Sequence, residues 1–147
     1  MITIRKAAFS DATAVAALAL QLWPDHDTRE LQTEFESLLT DEGAAVFLAC
    51  VDETPVGFAQ CQLRHNYVEG TSSSPVGYLE GIFVAPAYQK RGIARILLSS
   101  CESWAKEQGC TEFASDCELD NHDSLRFHLS VGFEEANRII CFTKTLS

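Results

Sequence analysis

The feature that most constrains this chain is residues 80–109, EGIFVAPAYQKRGIARILLSSCESWAKEQG, which predict a strand, a turn and a helix. The apolar run from Gly81 to Val84 is typical of a buried strand, and Pro86 ends it because proline has no N–H for a strand partner. Gly109 stands where a helix often ends in the left-handed conformation. Apolar residues at three- and four-residue spacing predict one helix face, made of Ala94, Leu97, Leu98, Cys101, Trp104 and Ala105.

The turn before that helix has the composition of an anion-binding site. Gly92 and Ala94 are small enough to let a pyrophosphate approach the backbone. The first N–H groups of a helix lack partners and carry the positive end of its dipole. Lys90, Arg91 and Arg95 add full positive charges. An ordinary strand-to-helix corner with a solvated basic turn contains the same residue types, and the turn alone leaves both interpretations open.

Two motifs carry a resemblance to a known family. Residues 89–94, QKRGIA, are similar to the Q/R-x-x-G-x-G/A signature of the GNAT superfamily of acyl-CoA-dependent N-acetyltransferases. Residues 121–133, NHDSLRFHLSVGF, resemble the family's second CoA motif. The resemblance spans nearly the whole chain and implies the GNAT fold, an α/β (α+β) fold with helices on both faces of a mixed central sheet. In that fold the two central strands splay apart at a bulge, and acetyl-CoA lies between them.

Composition narrows the class of protein. A chain of 147 residues with 46% hydrophobic and 22% charged residues predicts a single globular domain, residues 1–147. No apolar run approaches the roughly 20 residues of a membrane span, and the N-terminus lacks a signal-peptide core, so we expect no membrane partner. Six cysteines show no zinc-site spacing, which favours a cytoplasmic protein with reduced thiols and no metal.

The net charge of −10 narrows the choice of ligand. It argues against nucleic acid, which needs a basic face, and favours a cationic ligand attracted to an acidic cleft. Acidity can also serve solubility alone. Basic residues gather at positions 90–95, whereas acidic residues run through 25–36, 116–123 and 134–135. This distribution fits an anionic cofactor at one place and a cation at another.

The remaining patterns predict the element order βααβββαβαββ. Helices are expected from a cap at Ser10 and Asp11 to about residue 22, from Asp27 to about residue 40, and over 121–130. A long loop, 65–75, is expected to be a functional flap, and a β-bulge is expected near residues 80–82. Besides the strand at residues 76–84, strands are predicted over 2–7, 44–51, 56–64, 112–117, 133–135 and 138–146.

The GNAT resemblance assigns the residues that would hold acetyl-CoA. The backbone of the strand would hold the pantetheine and the thioester, the turn would hold the pyrophosphate, and Asn121 would contact the CoA arm. Where the family usually has a tyrosine as general acid, this chain has His128, which could instead be an ordinary helix histidine. The strand and turn residues are Ile82, Phe83, Val84, Gln89, Lys90, Arg91, Gly92, Ile93, Ala94 and Arg95.

Further segments look like those of the chromosomal aminoglycoside 6′-N-acetyltransferases, among them residues 21–24, 64–68, 73–76, 79–84, 114–116 and 132–135. This closer resemblance implies a homodimer, sometimes with exchanged last strands. Asn137 stands where those enzymes carry an acidic residue, which leaves the antibiotic range open. The positions matched to antibiotic binding are Trp23, His26, Tyr67, Glu80 and Asp116, with Asn137 beside them.

The leading hypothesis is therefore an enzyme that transfers acetyl from acetyl-CoA to an aminoglycoside by direct attack in a ternary complex. Glu80 and Asp116 are expected to bind the ammonium group, and Glu80 is the preferred general base. Cys117 would suggest an acyl-enzyme, but no histidine is placed by sequence to activate it. One alternative keeps the enzyme and changes the acceptor to a polyamine, another small amine or a protein N-terminus. The other alternative is a non-catalytic acyl-CoA-binding or regulatory module.

Overall fold

Five strands form one mixed sheet in the order β1-β2-β3-β4-β5 in the computed structural model, which describes all 147 residues. Neighbouring strands are antiparallel from β1 to β4, and β5 runs parallel to β4. The strands are β1 Ile2–Lys6, β2 Ala44–Val51, β3 Thr54–Arg64, β4 Val76–Val84 and β5 Phe113–Ser115. The helices are α1 Ala12–Leu22, α2 Thr28–Leu38, α3 Ile93–Glu107 and α4 His122–Ser130.

Helices cover both faces of the sheet, as predicted. On one face α1 and α2 pack on β2 and β3 through a core that includes Val15, Phe35 and Phe58. On the other face α3 packs through a second core that includes Leu97 and Trp104, and α4 adds partly buried side chains to its margin. The fold therefore follows from apolar stripes on three helices and from strands that are apolar on both sides.

The start of α2 is capped as the sequence predicts, but the start of α1 is not. Asp27 caps α2, since its Oδ1 accepts a hydrogen bond from the Arg29 N–H at 2.9 Å. The predicted cap at Ser10 and Asp11 is different: residues Phe9–Asp11 form a 3₁₀ turn before α1. The Asp11 carboxylate turns back to accept from the Ala8 N–H at 2.7 Å, so it does not cap α1.

Gly92 and Gly109 mark the two ends of α3, as the sequence indicates. Gly92 stands at the N-cap with φ of 80°, and Gly109 follows the helix with φ of 92°. Both angles lie in the left-handed region, where a side chain is strained. Gly92, in the predicted anion-binding motif, is therefore required by its backbone conformation and not by lack of space, since a Cβ there would meet no atom within 4 Å.

A β-bulge at Glu80 opens the sheet between β4 and β5. Gln60 on β3 pairs with Gly81 and the next residue, Cys61, pairs with Leu79, so Glu80 is the extra residue on β4. The parallel pairing of β4 with β5 ends at Leu79 and Ser115. The bulge predicted near residues 80–82 is confirmed, and the two central strands part at that point.

The two closing strands predicted at residues 133–135 and 138–146 are wrong, because residues after α4 form no helix or strand. The strand predicted at 112–117 is also shorter, and β5 is left as an edge of the sheet. An apolar pattern forms a strand where another strand supplies hydrogen-bond partners, and this segment has none within the chain. Its large apolar side chains lie exposed: Ile139, Ile140, Phe142 and Leu146.

Candidate active site

A cavity of about 210 Å³ lies where the α1–α2 side of the molecule meets the bulged part of β4. Trp23, His26 and Glu80, three of the predicted acceptor-binding residues, line this cavity. Two polar side chains that the sequence analysis did not select, Gln60 and Glu34, complete its polar lining. The remaining wall is apolar and consists of Leu31, Phe35 and Leu38.

Trp23 reaches this cavity because Gly81 leaves room for it. A Cβ on Gly81 would lie 2.7 Å from two carbons of the Trp23 ring, closer than such contacts allow. The ring also packs edge-on against Phe58, with centroids 6.2 Å apart, and lies 6.3 Å from the His26 ring. Gly81 therefore both accommodates the bulge and places an aromatic wall beside Glu80.

Arg64 on β3 engages the Glu80 carboxylate with two hydrogen bonds. Its Nε donates to Oε2 at 3.1 Å and its Nη2 donates to Oε1 at 2.8 Å. The guanidinium carbon lies 3.5 Å from the centroid of the Tyr78 ring, in a cation–π arrangement. The hydrogen bond to Glu80 raises the pKa of Arg64, so the guanidinium keeps its charge at neutral pH.

Tyr78 connects this ion pair to the second predicted carboxylate. Its hydroxyl donates to Oδ2 of Asp116 at 2.5 Å. Burial, followed by the hydrogen bond to Asp116, raises the pKa of Tyr78 well above its usual range, so the phenol keeps its proton and acts as a donor. Glu80 and Asp116, placed on β4 and just after β5, are thus joined through Arg64 and Tyr78.

The other predicted acceptor residues lie outside the cavity, on or beside the loop 65–75. Tyr67 is 76% exposed. Asn137 donates through Nδ2 to Oε1 of Glu69 at 2.6 Å, which ties the C-terminal segment to the loop. The loop is held at its other end by Glu112, whose Oε1 accepts from the Ser72 N–H at 2.9 Å and from the Ser73 hydroxyl.

The turn between β4 and α3 places its basic residues in solvent, as expected for an anion site. Lys90, Arg91 and Arg95 are exposed. The Gln89 side chain braces the turn against the end of β4, because its Nε2 donates to the Val84 carbonyl at 3.0 Å. The N-terminus of α3 and three exposed cations, none of them paired with a carboxylate, are groups that can bind a pyrophosphate.

Asn121 and His128 both belong to α4. Oδ1 of Asn121 accepts from the Ser124 N–H at 3.1 Å and caps the helix, which leaves its amide nitrogen for a ligand. His128 is half-buried and points to the end of β5, where its Nε2 lies 2.8 Å from Oγ of Ser115. The predicted histidine is therefore adjacent to the place where β4 and β5 part.

Arg64, Tyr78 and Gln60 are site residues that sequence reasoning did not select, although a signal was present. Gln60, Gln62 and Arg64 alternate along β3, so they share one face of an otherwise apolar strand. Tyr78 shares that face from β4, two residues before Glu80. A polar stripe of period two inside a buried sheet is uncommon, and it indicates a ligand or a hydrogen-bond network.

No group of three or more His, Cys, Asp or Glu side chains could hold a metal ion. All six cysteines are free thiols, and four of them are buried, namely Cys50, Cys61, Cys101 and Cys110. None of the helices has the length and apolar character needed to cross a membrane.

Comparison with known proteins identifies the family. Residues 12–133 match the Acetyltransferase (GNAT) family. A protein of Stenotrophomonas maltophilia named aminoglycoside N(6′)-acetyltransferase type 1 is 46% identical over 145 residues, covering 98% of this chain and 94% of that protein.

Two solved structures superpose on this chain over nearly its whole length. AAC(6′)-Iy in complex with the bisubstrate analogue CoA-S-monomethyl-acetylneamine superposes with a TM-score of 0.95 at 37% identity, covering 99% of each chain. The aminoglycoside 6′-N-acetyltransferase AAC(6′)-Ih from Acinetobacter baumannii gives a TM-score of 0.92 at 40% identity, covering 100% of each chain. The splayed sheet, the basic turn and these relatives together establish that this chain belongs to the GNAT acetyltransferase family, among the type 1 aminoglycoside N(6′)-acetyltransferases.

Proposed function

We propose that this protein transfers the acetyl group of acetyl-CoA to the 6′-amino group of an aminoglycoside. The observation that carries the proposal is the position of Glu80, which lies in an acidic, aromatic-walled cavity and also at the bulge where β4 and β5 part. One residue thus borders both the acceptor cavity and the opening where an acyl-CoA arm would lie. Relatives named for this reaction support the assignment.

Acetyl-CoA would bind along the free side of β4 and the N-terminus of α3. The backbone of Ile82, Phe83 and Val84, past the last β5 pairing, would bond to the pantetheine and polarise the thioester carbonyl. The backbone N–H groups of Gly92, Ile93 and Ala94 would receive the pyrophosphate, together with the exposed cations of the turn. The six free thiols fit a reducing compartment, and we place the enzyme in the cytoplasm, where acetyl-CoA is supplied.

The acceptor would bind as a polycation. Glu34 and Glu80 supply negative charge to the cavity, while Trp23 supplies an aromatic face for an ammonium or sugar ring. Asp116 adds a third carboxylate, whose Oδ1 accepts no hydrogen bond within the chain. A fixed arrangement of carboxylates and aromatic walls would orient a rigid polyamine sugar and discriminate against a flexible one.

The reaction would proceed by direct attack of the neutral amine on the thioester carbonyl, without a covalent acyl-enzyme. Both oxygens of Glu80 are held by Arg64, so this carboxylate suits charge pairing with the ammonium. Asp116 has a free oxygen and would accept the ammonium proton, directly or through water. His128 would supply a proton on the thiol side.

The function is tested by measuring free thiol released from acetyl-CoA with neomycin, paromomycin and spermidine. Neomycin carries a 6′-amine and paromomycin a 6′-hydroxyl at the same place, so the pair isolates the proposed position. Turnover with neomycin alone is the expected result. Equal turnover with paromomycin would move the reaction to another amine of the antibiotic. Turnover confined to spermidine would assign a polyamine acetyltransferase, and CoA binding with no turnover would favour a regulatory module.

We further propose that the protein is a homodimer that pairs C-terminal segments between subunits. The edge of β5 is free, and residues 133–147 carry four exposed large apolar side chains outside any strand. A free edge and an unpaired apolar segment are complementary surfaces. Sedimentation should give a dimer for the wild type and a monomer for Ile140→Asp combined with Phe142→Asp. A dimer that survives both changes would refute this interface.

A further inference from the structure

Ser115 occupies a position that has no role so far in the proposed reaction. It is the last residue of β5 and pairs with Leu79, at the point where the two central strands part. Its Oγ lies 2.8 Å from Nε2 of His128 and 3.4 Å from the Leu79 carbonyl. The hydroxyl therefore stands between a titratable side chain on α4 and the opening between the strands.

The other nitrogen of His128 determines what Ser115 can do. Nδ1 lies 2.7 Å from the Ser124 carbonyl, and because a carbonyl only accepts, Nδ1 must carry a hydrogen. In neutral His128, Nε2 is then an acceptor and captures the Ser115 hydroxyl hydrogen. In protonated His128, Nε2 becomes a donor to Oγ, which frees the hydroxyl hydrogen to point elsewhere. Protonation of His128 therefore frees the Ser115 hydroxyl to donate to the Leu79 carbonyl, 3.4 Å away where the strands part, or to a ligand bound there.

The consecutive residues Ser115 and Asp116 make their side-chain contacts on opposite faces of the sheet. Ser115 reaches α4 on the α3 side, whereas Asp116 accepts from Tyr78 on the acceptor side. The alternation of a β-strand produces this arrangement. An acetyl group held at the end of β5 would thus have a carboxylate on the amine side and a hydroxyl on the thiol side.

We propose that Ser115 donates the proton that the departing CoA thiolate takes up, and that His128 replaces it. The inference rests on the proposed acetyl transfer. The amine nitrogen forms a bond to the carbonyl carbon, and collapse of the tetrahedral intermediate breaks the C–S bond and leaves its electron pair on sulfur. Sulfur takes the Oγ hydrogen, Oγ takes the Nε2 hydrogen, and His128 is left neutral. Solvent reprotonates His128, while the amine proton leaves through Asp116, so charge and protons balance.

The matched variants are Ser115→Thr and Ser115→Val, which have nearly the same shape and differ in the hydroxyl. Both are β-branched and suit a strand. Single-turnover acetyl transfer to neomycin, with enzyme in excess over acetyl-CoA, removes product release from the measured rate. The threonine variant should stay within about 3-fold of the wild type, whereas the valine variant should be about 100-fold slower, the usual size of a general-acid contribution. The dissociation constant of CoA should be the same in both.

His128→Ala provides the second test, since removal of the ring leaves space for a small base. Its transfer rate should fall as far as that of Ser115→Val, and added imidazole should restore part of it. Imidazole should not restore Ser115→Val, because the hydroxyl that passes the proton is missing. A structural role for His128 would give no such rescue, so a lost rate without rescue refutes the relay.

Other results of these experiments would contradict the relay or the proposed acceptor. Equal rates for the threonine and valine variants would overturn the role of Ser115, as would weaker CoA binding with an unchanged transfer rate. If either strand variant loses its cooperative thermal transition, the imidazole test on His128 decides instead. A wild-type enzyme that acetylates spermidine and not neomycin contradicts the proposed acceptor, and the same variants are then compared on spermidine. A wild type that acetylates no amine overturns both proposals.

Discussion

Arg64 and Glu80, on the neighbouring strands β3 and β4, form an ion pair with two hydrogen bonds at the edge of the proposed acceptor cavity. The pair is 41% exposed on the arginine side and 18% exposed on the glutamate side, so water screens it only in part. The bulge places Glu80 here. Gly81 pairs with Gln60 and Leu79 pairs with Cys61, so Glu80 lies between them as the one residue of β4 without a partner on β3. The position of Glu80 in the proposed acceptor site therefore depends on a cation supplied by the protein itself.

Replacement of Arg64 tests this dependence. Arg64→Leu should lower the free energy of unfolding by about 1 kcal/mol, a value reduced for solvent screening, since it leaves a half-buried carboxylate without its partner. It should also reduce kcat/KM for aminoglycoside by at least about 10-fold, because Glu80 loses its fixed orientation. Denaturant titration and steady-state kinetics measure the two effects. In a double-mutant cycle with Glu80→Gln the changes should be non-additive; additive values would show that the pair is not coupled.

Neutralising each carboxylate tests the acceptor site. Glu80→Gln and Asp116→Asn should raise KM for aminoglycoside or lower kcat by about 10- to 100-fold, since each removes a charge-assisted contact to an ammonium group. The dissociation constant of CoA, measured by calorimetry, should not change. Glu53→Gln, in the exposed turn between β2 and β3, is the matched control. Wild-type kinetics in both site variants would show that the acceptor binds elsewhere.

Gly81→Ala tests the packing that places Trp23. The added methyl would overlap the ring, so we expect a loss of about 1–3 kcal/mol in stability and weaker aminoglycoside binding. Trp23→Ala removes the ring that the new methyl group would overlap. Gly81→Ala should therefore cost no stability in the Trp23→Ala background, and the double variant should be as stable as Trp23→Ala alone. Thermal unfolding of the three variants measures this. A double variant that is destabilised by the sum of both effects would argue for a different cause.

Glu112 tests whether the loop 65–75 contributes to acceptor binding. Glu112→Ala removes the acceptor for the Ser72 N–H and the Ser73 hydroxyl, so the loop that carries Tyr67 should open more often. KM for aminoglycoside should rise by about 3- to 10-fold with KM for acetyl-CoA unchanged, and proteolysis within the loop should be faster. Glu107→Ala, at the end of α3, is the control. Loop cleavage that accelerates without a change in KM would separate the loop from the acceptor site.

The Arg5–Asp11 ion pair should account for part of the loss of folding stability at acid pH. Hydrogen bonds from Arg5 lower the pKa of Asp11 to about 2. Because the folded value lies below the unfolded value of about 3.9, the contribution is present above that pH and is lost as pH falls toward the folded value. Asp11→Asn should therefore be less stable at neutral pH and should lose less stability than the wild type in this acid range. Parallel curves of unfolding free energy against pH would contradict the assignment.

Much of the architecture could be predicted from local patterns. The limits of β2 and β4, the amphipathic face of α3 and its two glycine ends are properties of neighbouring residues, and the structure confirms them. The bulge was also predictable, from its family resemblance and from Gly81. The closing strands were not predictable in the same way, since a strand exists by its partner and this segment has no partner in the chain.

The sequence by itself determined the family, the basic glycine-containing turn before α3 and the acidic residues proposed to bind a cationic acceptor. These features are short motifs or totals of charge, and they need no knowledge of distant contacts. The tertiary structure decided which side chains meet: Arg64 with Glu80, Tyr78 with Asp116, and Ser115 with His128. These pairs are separated by 13 to 38 residues. Strand register and helix packing bring such residues together, and those depend on burial across the whole sheet.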